Sequence, residues 1–347
     1  MYNFYPGPSK VYPLVKDFAK EAFENGILEE NHRSEPFMQL LEDCTKLFKN
    51  HLNIPSDYKV FFVTSATEAW EICAQSLFGY APVKFYYNGA FGEKWMKYSE
   101  RIYGDVSEGK FSVDQKILLD TSFAGDVCIV ANETSNGTQV NPADFKDVMS
   151  ENSLLYVDAV SSLGGIDYEI SDADVWISSS QKCFGLPSGM GIMLVSPKAL
   201  ARAKTLGDGK FYNSLLFIEE NFDKLQTPYT PNILSVYLLK RLLENLPNIK
   251  EVSQNLVIRA KKLYEYFDST ESLKPLVLNN EVRSQTLVAI KCSDLKELQA
   301  YLAKNDITIG KGYGEWKDST FRIANFPAID NQEYDYLLEI LSNFVRK

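Results

Sequence analysis

Histidine is nearly absent from this chain: His32 and His51 are the only two in 347 residues. With no Cys/His cluster there is no ligand set for a zinc-type metal centre, so no metal is expected. Cysteine is sparse as well. Cys44, Cys73, Cys128, Cys183 and Cys292 are odd in number and scattered in spacing, which reads as reduced, buried thiols of a cytoplasmic protein and not as a disulfide framework. No stretch approaches the roughly 20 apolar residues of a membrane span. The opening Met1-Tyr2-Asn3-Phe4-Tyr5-Pro6-Gly7-Pro8 has neither a basic nor an apolar leader region. A basic run is also lacking, and the formal net charge is -10, which disfavours nucleic acid as a partner. No glycine fingerprint of a dinucleotide or P-loop site is found.

What is present is an ordinary globular composition, 45% hydrophobic and 24% charged, long enough for one large domain and a smaller one. Helical periodicity covers about Val15 to Phe23 and Glu35 to Asn50. Short apolar runs then recur at Lys59–Val63, Val83–Tyr87, Val127–Ala131, Leu154–Val157, Val175–Ser178 and Gly189–Val195, separated by helical or turn-rich segments. Strands that are apolar throughout and alternate with helices predict a mainly parallel α/β sheet covered on both faces. After about Pro231 the pattern changes. Helical stretches at Leu234–Leu246 and Val252–Phe267 lead to strands near Thr286–Ile290 and Thr320–Ala324, then a closing helix from about Asn331 to Arg346. The expected division is an N-terminal arm 1–14, a large domain 15–233 and a small α+β domain 234–347.

Reactive side chains collect at the predicted strand ends. Lys182 follows an apolar strand in Ser178-Ser179-Ser180-Gln181-Lys182, ahead of a Gly/Pro-rich loop. Burial there lowers the affinity of an amine for its proton, as imine chemistry requires. Asp158 ends an earlier strand, 182 − 158 = 24 residues before Lys182. One strand–helix repeat is about that long, and parallel sheets bind ligands at the carboxyl ends of their strands. A carboxylate there can keep a pyridine nitrogen protonated. Thr64-Ser65-Ala66-Thr67 joins a strand to a helix, with small residues that let backbone N–H groups and hydroxyls meet a phosphate. Asn88-Gly89-Ala90-Phe91-Gly92 offers an aromatic face for a flat ring, and Asn132-Glu133-Thr134 a hydroxyl. Each has an ordinary alternative: a solvated lysine, a capping aspartate, an N-cap serine, a core phenylalanine, a turn threonine. Five together, on successive strand ends, point to one site.

In combination, Tyr5-Pro6-Gly7-Pro8-Ser9, Asn31-His32-Arg33-Ser34-Glu35-Pro36-Phe37, Val157-Asp158-Ala159-Val160-Ser161-Ser162 and Ser180-Gln181-Lys182 resemble the class V family of fold-type I pyridoxal-phosphate enzymes over nearly the whole chain. The resemblance implies a large domain with a mainly parallel seven-stranded sheet between helices, and a smaller C-terminal α+β domain. It implies pyridoxal 5'-phosphate as cofactor, with Lys182 as the Schiff-base lysine and proton shuttle and Asp158 as partner of the pyridine nitrogen. Phe91 takes the stacking position, Thr134 the ring-hydroxyl side and Gln181 a polar contact, while Ala66 and Thr67 lie against the phosphate. Thr227, in Gln226-Thr227-Pro228, resembles the segment that reaches the phosphate from a second subunit, so a homodimer with sites at its interface is implied.

Within the family the N-terminal half is most similar to the phosphoserine aminotransferases. By that resemblance Arg322 grips the substrate α-carboxylate, and His32 and Arg33 form part of a phosphate clamp, in an amino-group transfer between small amino and 2-oxo acids that serves serine biosynthesis. The chain departs from that branch in two places. Phe91 stands where it usually has Trp, and Gly312-Tyr313-Gly314 where it has a second His-Arg pair, with Lys311 as a possible substitute. Those features are more similar to the alanine–glyoxylate and serine–pyruvate branch. A cysteine desulfurase would need a ring-stacking histidine, which Phe91 replaces.

Overall fold

The computed structural model describes residues 1–146, 148–207 and 209–346; Lys347, at the end of the expected small domain, lies outside them. Seven strands form the main sheet in the order Lys59–Val63, Gly191–Val195, Val175–Ser179, Leu155–Asp158, Asp126–Val130, Val83–Tyr87, Val106–Lys110. All run parallel except Gly191–Val195, which is antiparallel to both of its neighbours.

The unbroken apolarity of these strands follows from burial on both faces. Val60 and Phe62 point into one core while Phe61 and Val63 point into another. The same alternation splits Val127 and Ile129 from Cys128 and Val130, and Ile192 and Leu194 from Met193 and Val195. The exception is Val106-Ser107-Glu108-Gly109-Lys110, a polar strand on the sheet edge, where charge discourages pairing with another chain. Helices begin where small polar residues cap them: Ser34 accepts from Phe37 N, Ser65 from Glu68 N, and Ser196 from Ala199 N.

A second, five-stranded sheet runs Tyr2–Phe4, Ile307–Lys311, Thr320–Ala324, Leu287–Cys292, Leu273–Pro275. Its first strand comes from the N-terminal arm, paired in parallel with Ile307–Ile309. Phe4 is accordingly buried in the C-terminal core with Phe267, Ile323 and Leu341. From there the arm returns to the large sheet, with Ser9 N donating to the Gln181 carbonyl at 3.1 Å. The helix Ile233–Leu243, read from sequence as the start of the C-terminal unit, shares its core with Phe37, Leu40 and Leu41 of Glu35–His51. The next helix, Ile249–Ser269, crosses between units: Val252 lies in the large core and Leu263 in the small one. No helix among the described residues is long and apolar enough to cross a membrane.

Candidate active site

Five strand ends converge on a cavity of about 180 Å³, lined by Ser65, Ala66 and Thr67, by Phe91, by Asn132 and Thr134, by Asp158, and by Gln181 and Lys182. All five lie on the carboxyl edge of the parallel strands, where chain direction and helix dipoles direct polar backbone groups outward. Size alone does not select this cavity. A larger one of about 380 Å³ lies between Gln139–Asp144 and Glu281–Gln285, but it is lined by Asp144, Asp167, Glu169, Asp172 and Glu281 and by none of the strand-end residues. No group of three or more His, Cys, Asp or Glu among the described residues is arranged to hold a metal.

Asp158 and Lys182 carry the chemistry of the cavity floor. Asp158 is the last residue of its strand and is almost fully buried. Its Oδ1 accepts from Val160 N at 2.9 Å and its Oδ2 from Trp70 Nε1 at 2.9 Å. Each oxygen keeps an acceptor position beyond these bonds. Burial dominates its titration and lifts the carboxyl from 3.8 to about 6, against the pull of those two donors. Such a carboxylate lacks only a cationic donor. Lys182 sits in the turn after Val175–Ser179, which is closed by Ser180 N donating to Met190 O and by Ser180 Oγ donating to Pro187 O. Its Nζ donates to Pro6 O at 2.7 Å and lies 5.9 Å from the centre of the Phe91 ring. Burial, and then the Arg322 charge, bring its amine down from 10.5 to about 8. The two groups are thus displaced toward each other, an arrangement typical of acid–base sites.

The opposite end of the cavity suits an anion. Ala66 and Thr67 are the first residues of the helix Ala66–Ser76, whose initial N–H groups have no partner within the helix. Gly191 lies directly beneath: a Cβ there would stand 2.4 Å from Ser65 C and 2.8 Å from Ala66 N. Only glycine allows the antiparallel strand to come this close and hold the helix start in place. An anion cradle, a flat aromatic wall at Phe91, a buried carboxylate and an amine of reduced basicity are the donor set that a phosphorylated pyridine aldehyde requires.

Arg322 borders the site from the C-terminal unit. Its Nε donates to Lys311 O at 2.7 Å and its Nη1 to Thr134 O at 2.7 Å, which commits two of five donors to backbone. Its guanidinium lies 5.4 Å from the Tyr313 ring, and Tyr313 in turn stacks on Phe91 at 5.2 Å. Lys311 is exposed and meets the site through its carbonyl.

His32, Arg33 and Thr227 are not among the cavity-lining residues. His32 Nδ1 lies 3.5 Å from Thr230 Oγ1, Arg33 is exposed, and Thr227 Oγ1 donates to Tyr229 O. Conversely, Trp70, Lys94, Asn132 and Ser161 line the cavity without having been singled out. Trp70 was within reach of sequence reasoning, since it follows Thr67 by three residues on one helix face. Ser161 was not, because its role depends on Asn132, whose Nδ2 donates to Ser161 Oγ across two strands.

The family model for class-V aminotransferases matches residues 1–84 and 112–315. The chain is 27% identical to a phosphoserine aminotransferase of Rhodococcus opacus (strain B4), over 95% of this chain and 91% of that protein. It is 30% identical to a serine–glyoxylate aminotransferase of Arabidopsis thaliana, over 75% of this chain and 67% of that one. A crystal structure of a phosphoserine aminotransferase from Cytophaga hutchinsonii superposes with a TM-score of 0.92 at 27% identity, covering 98% of both chains.

Proposed function

Because the chain belongs to the class V aminotransferases and has their fold-type I architecture, we propose that it transfers an amino group between phosphoserine and 2-oxoglutarate, through pyridoxal 5'-phosphate held on Lys182. The observation that carries this reading is the pairing of Lys182 and Asp158 in one cavity with the open helix start at Ala66–Thr67. Two phosphoserine aminotransferase relatives matched nearly end to end support the substrate. When bound, the cofactor supplies a cationic ring that draws electrons from the substrate α-carbon.

Ala66 and Thr67 would hold the phosphate with backbone N–H groups, and Asp158, aimed by Trp70 and Val160, would keep the pyridine nitrogen protonated. Phe91 would cover a ring face, while Thr134 and Gln181 would take its polar edge. Lys182 Nζ takes and returns the α-proton; at about 8, roughly one molecule in ten has a neutral amine at pH 7. Arg322, already oriented by two carbonyls, presents its remaining donors to the α-carboxylate. His32, Arg33 and Thr227 belong, on this reading, to the site of a second copy in a homodimer, with His32 and Arg33 on the substrate phosphate.

We place the divide between domains near Pro247 and not at 233/234, since Ile233–Leu243 shares the large core. Five buried free cysteines favour a cytoplasmic setting, and the named relatives favour a place in serine synthesis. A specific observation keeps a second substrate class in play: Tyr313 packs on Phe91, in the Gly-Tyr-Gly segment similar to the alanine–glyoxylate and serine–pyruvate branch. The experiment is a half-reaction panel with phosphoserine, alanine, serine and glutamate, following the visible band of the Lys182-linked cofactor. Phosphoserine should discharge it fastest, Arg33→Ala should raise KM for phosphoserine far more than for alanine, and Lys182→Ala should lose the borohydride-reducible link and turnover. An equal Arg33→Ala effect on both substrates would favour the alanine or serine type.

A further inference from the structure

Two helix N-termini border the cavity, and the chain treats them differently. Ala66–Ser76 leaves the N–H groups of Ala66 and Thr67 open to a ligand, its third being capped by Ser65. Ala90–Tyr103 begins after Gly89, which has no side chain with which to cap it. Its first three N–H groups are nonetheless all bonded. Ala90 N donates to Ser135 Oγ at 3.0 Å, Phe91 N to Glu133 Oε2 at 3.2 Å and Gly92 N to the same oxygen at 3.1 Å. The other carboxylate oxygen, Oε1, accepts from Ser135 N at 3.0 Å and from Ser135 Oγ at 2.6 Å. A carboxylate accepts about four bonds, and here two oxygens take four. A proton would have to displace one of these donors.

We propose that Glu133 is a positioning residue: the chain's own anion, seated on the second helix N-terminus, which fixes the Phe91 ring and keeps a negative charge beside Lys182 and Arg322. It directs the cofactor phosphate to Ala66–Thr67 by occupying the competing site. Gly89 is the companion to this arrangement, because a Cβ there would lie 2.3 Å from Glu133 Cγ. Burial pushes the Glu133 carboxyl up and its four donors pull it back. The charged groups within its reach are Lys182 and Arg322, whose protons it favours, and Asp158, whose ionisation it opposes. Lys94 is a further cation on the cavity wall.

The inference rests on the cofactor being carried by Lys182, and the test separates the two. Wild-type protein, Glu133→Gln, Glu133→Asp and Gly89→Ala are loaded with pyridoxal 5'-phosphate. Cofactor Kd, thermal midpoint and the pH midpoint of the visible band are then measured. Glu133→Gln should weaken cofactor binding by about tenfold or more, since an amide cannot accept all four bonds. It should also lower the pH midpoint, because a negative charge beside the Lys182 nitrogen is lost. Glu133→Asp should retain the midpoint while weakening binding, and Gly89→Ala should weaken binding even if Glu133→Gln fails to fold. A cap without a role in the site would lower only the thermal midpoint. Cofactor affinity and pH midpoint unchanged in Glu133→Gln, or affinity unchanged in Gly89→Ala if the former does not fold, overturns the proposal. Failure of the wild type to take up the cofactor on Lys182 instead overturns the functional reading.

Discussion

Asp158→Asn should make the cofactor-free protein less sensitive to rising pH while making the loaded protein weaker. The folded protein holds the Asp158 proton up to about 6, whereas an ordinary aspartate releases it at 3.8. Between those values the unfolded chain has lost a proton that the folded chain retains, so stability falls as pH rises through this window and stays low above it. The span from 3.8 to about 6, at 1.36 kcal/mol per pH unit, is on the order of 3 kcal/mol. Asn loses this pH-dependent penalty but also leaves one donor, Trp70 Nε1 or Val160 N, without an acceptor, a cost of about 1–3 kcal/mol that does not vary with pH. Absolute stabilities at a single pH therefore mix two terms of opposite sign. The difference between pH 4 and pH 8 isolates one of them. Urea unfolding of cofactor-free protein should show the wild type losing about 2 kcal/mol relative to Asp158→Asn across that range, since the unfolded carboxyl is already partly ionised at pH 4. Parallel pH profiles would refute the reasoning, because they would mean that the native carboxyl titrates as it does in the unfolded chain. With cofactor bound the sign reverses, since a pyridine N–H compensates the carboxylate and leaves the amide at a disadvantage.

Two further substitutions probe the cavity from its other walls. Arg322→Lys keeps the charge but loses the planar fork held by Lys311 O and Thr134 O. KM for amino-acid substrates should rise about 100-fold with the cofactor spectrum intact, and an unchanged KM would remove Arg322 from the carboxylate site. Gly191→Ala drives a methyl against the backbone of Ser65 and Ala66, which cannot yield as a side chain would. The cofactor Kd should rise about tenfold, or about 1.4 kcal/mol, with substrate KM little changed; a larger change in KM than in Kd would contradict a phosphate cradle at this helix start.

The parts of the molecule that could be read from sequence are those where one residue's environment is set by its own strand or helix. Apolar runs such as Val127–Ala131 and Gly189–Val195 announced a sheet buried on both faces because their apolar side chains alternate between two cores. The residues that follow those runs were found for the same reason, and Ala66, Thr67, Phe91, Thr134, Asp158, Gln181 and Lys182 all line one cavity. What escaped depends on contacts that sequence distance hides. Tyr2–Phe4 pairs with a strand some 300 residues away, and its three residues carry no period to detect. Val106–Lys110 is polar because it is an edge, so the rule that revealed its neighbours concealed it. Glu133 was passed over in favour of Thr134, since a buried acid reads as a turn residue until four donors are seen around it. The helix it caps follows Gly89, which has no side chain to accept from its first N–H groups; the acceptor is supplied 133 − 89 = 44 residues downstream. Local sequence leaves this helix start incompletely capped on the wall of the cavity, where long-range contacts decide what adjacent residues cannot.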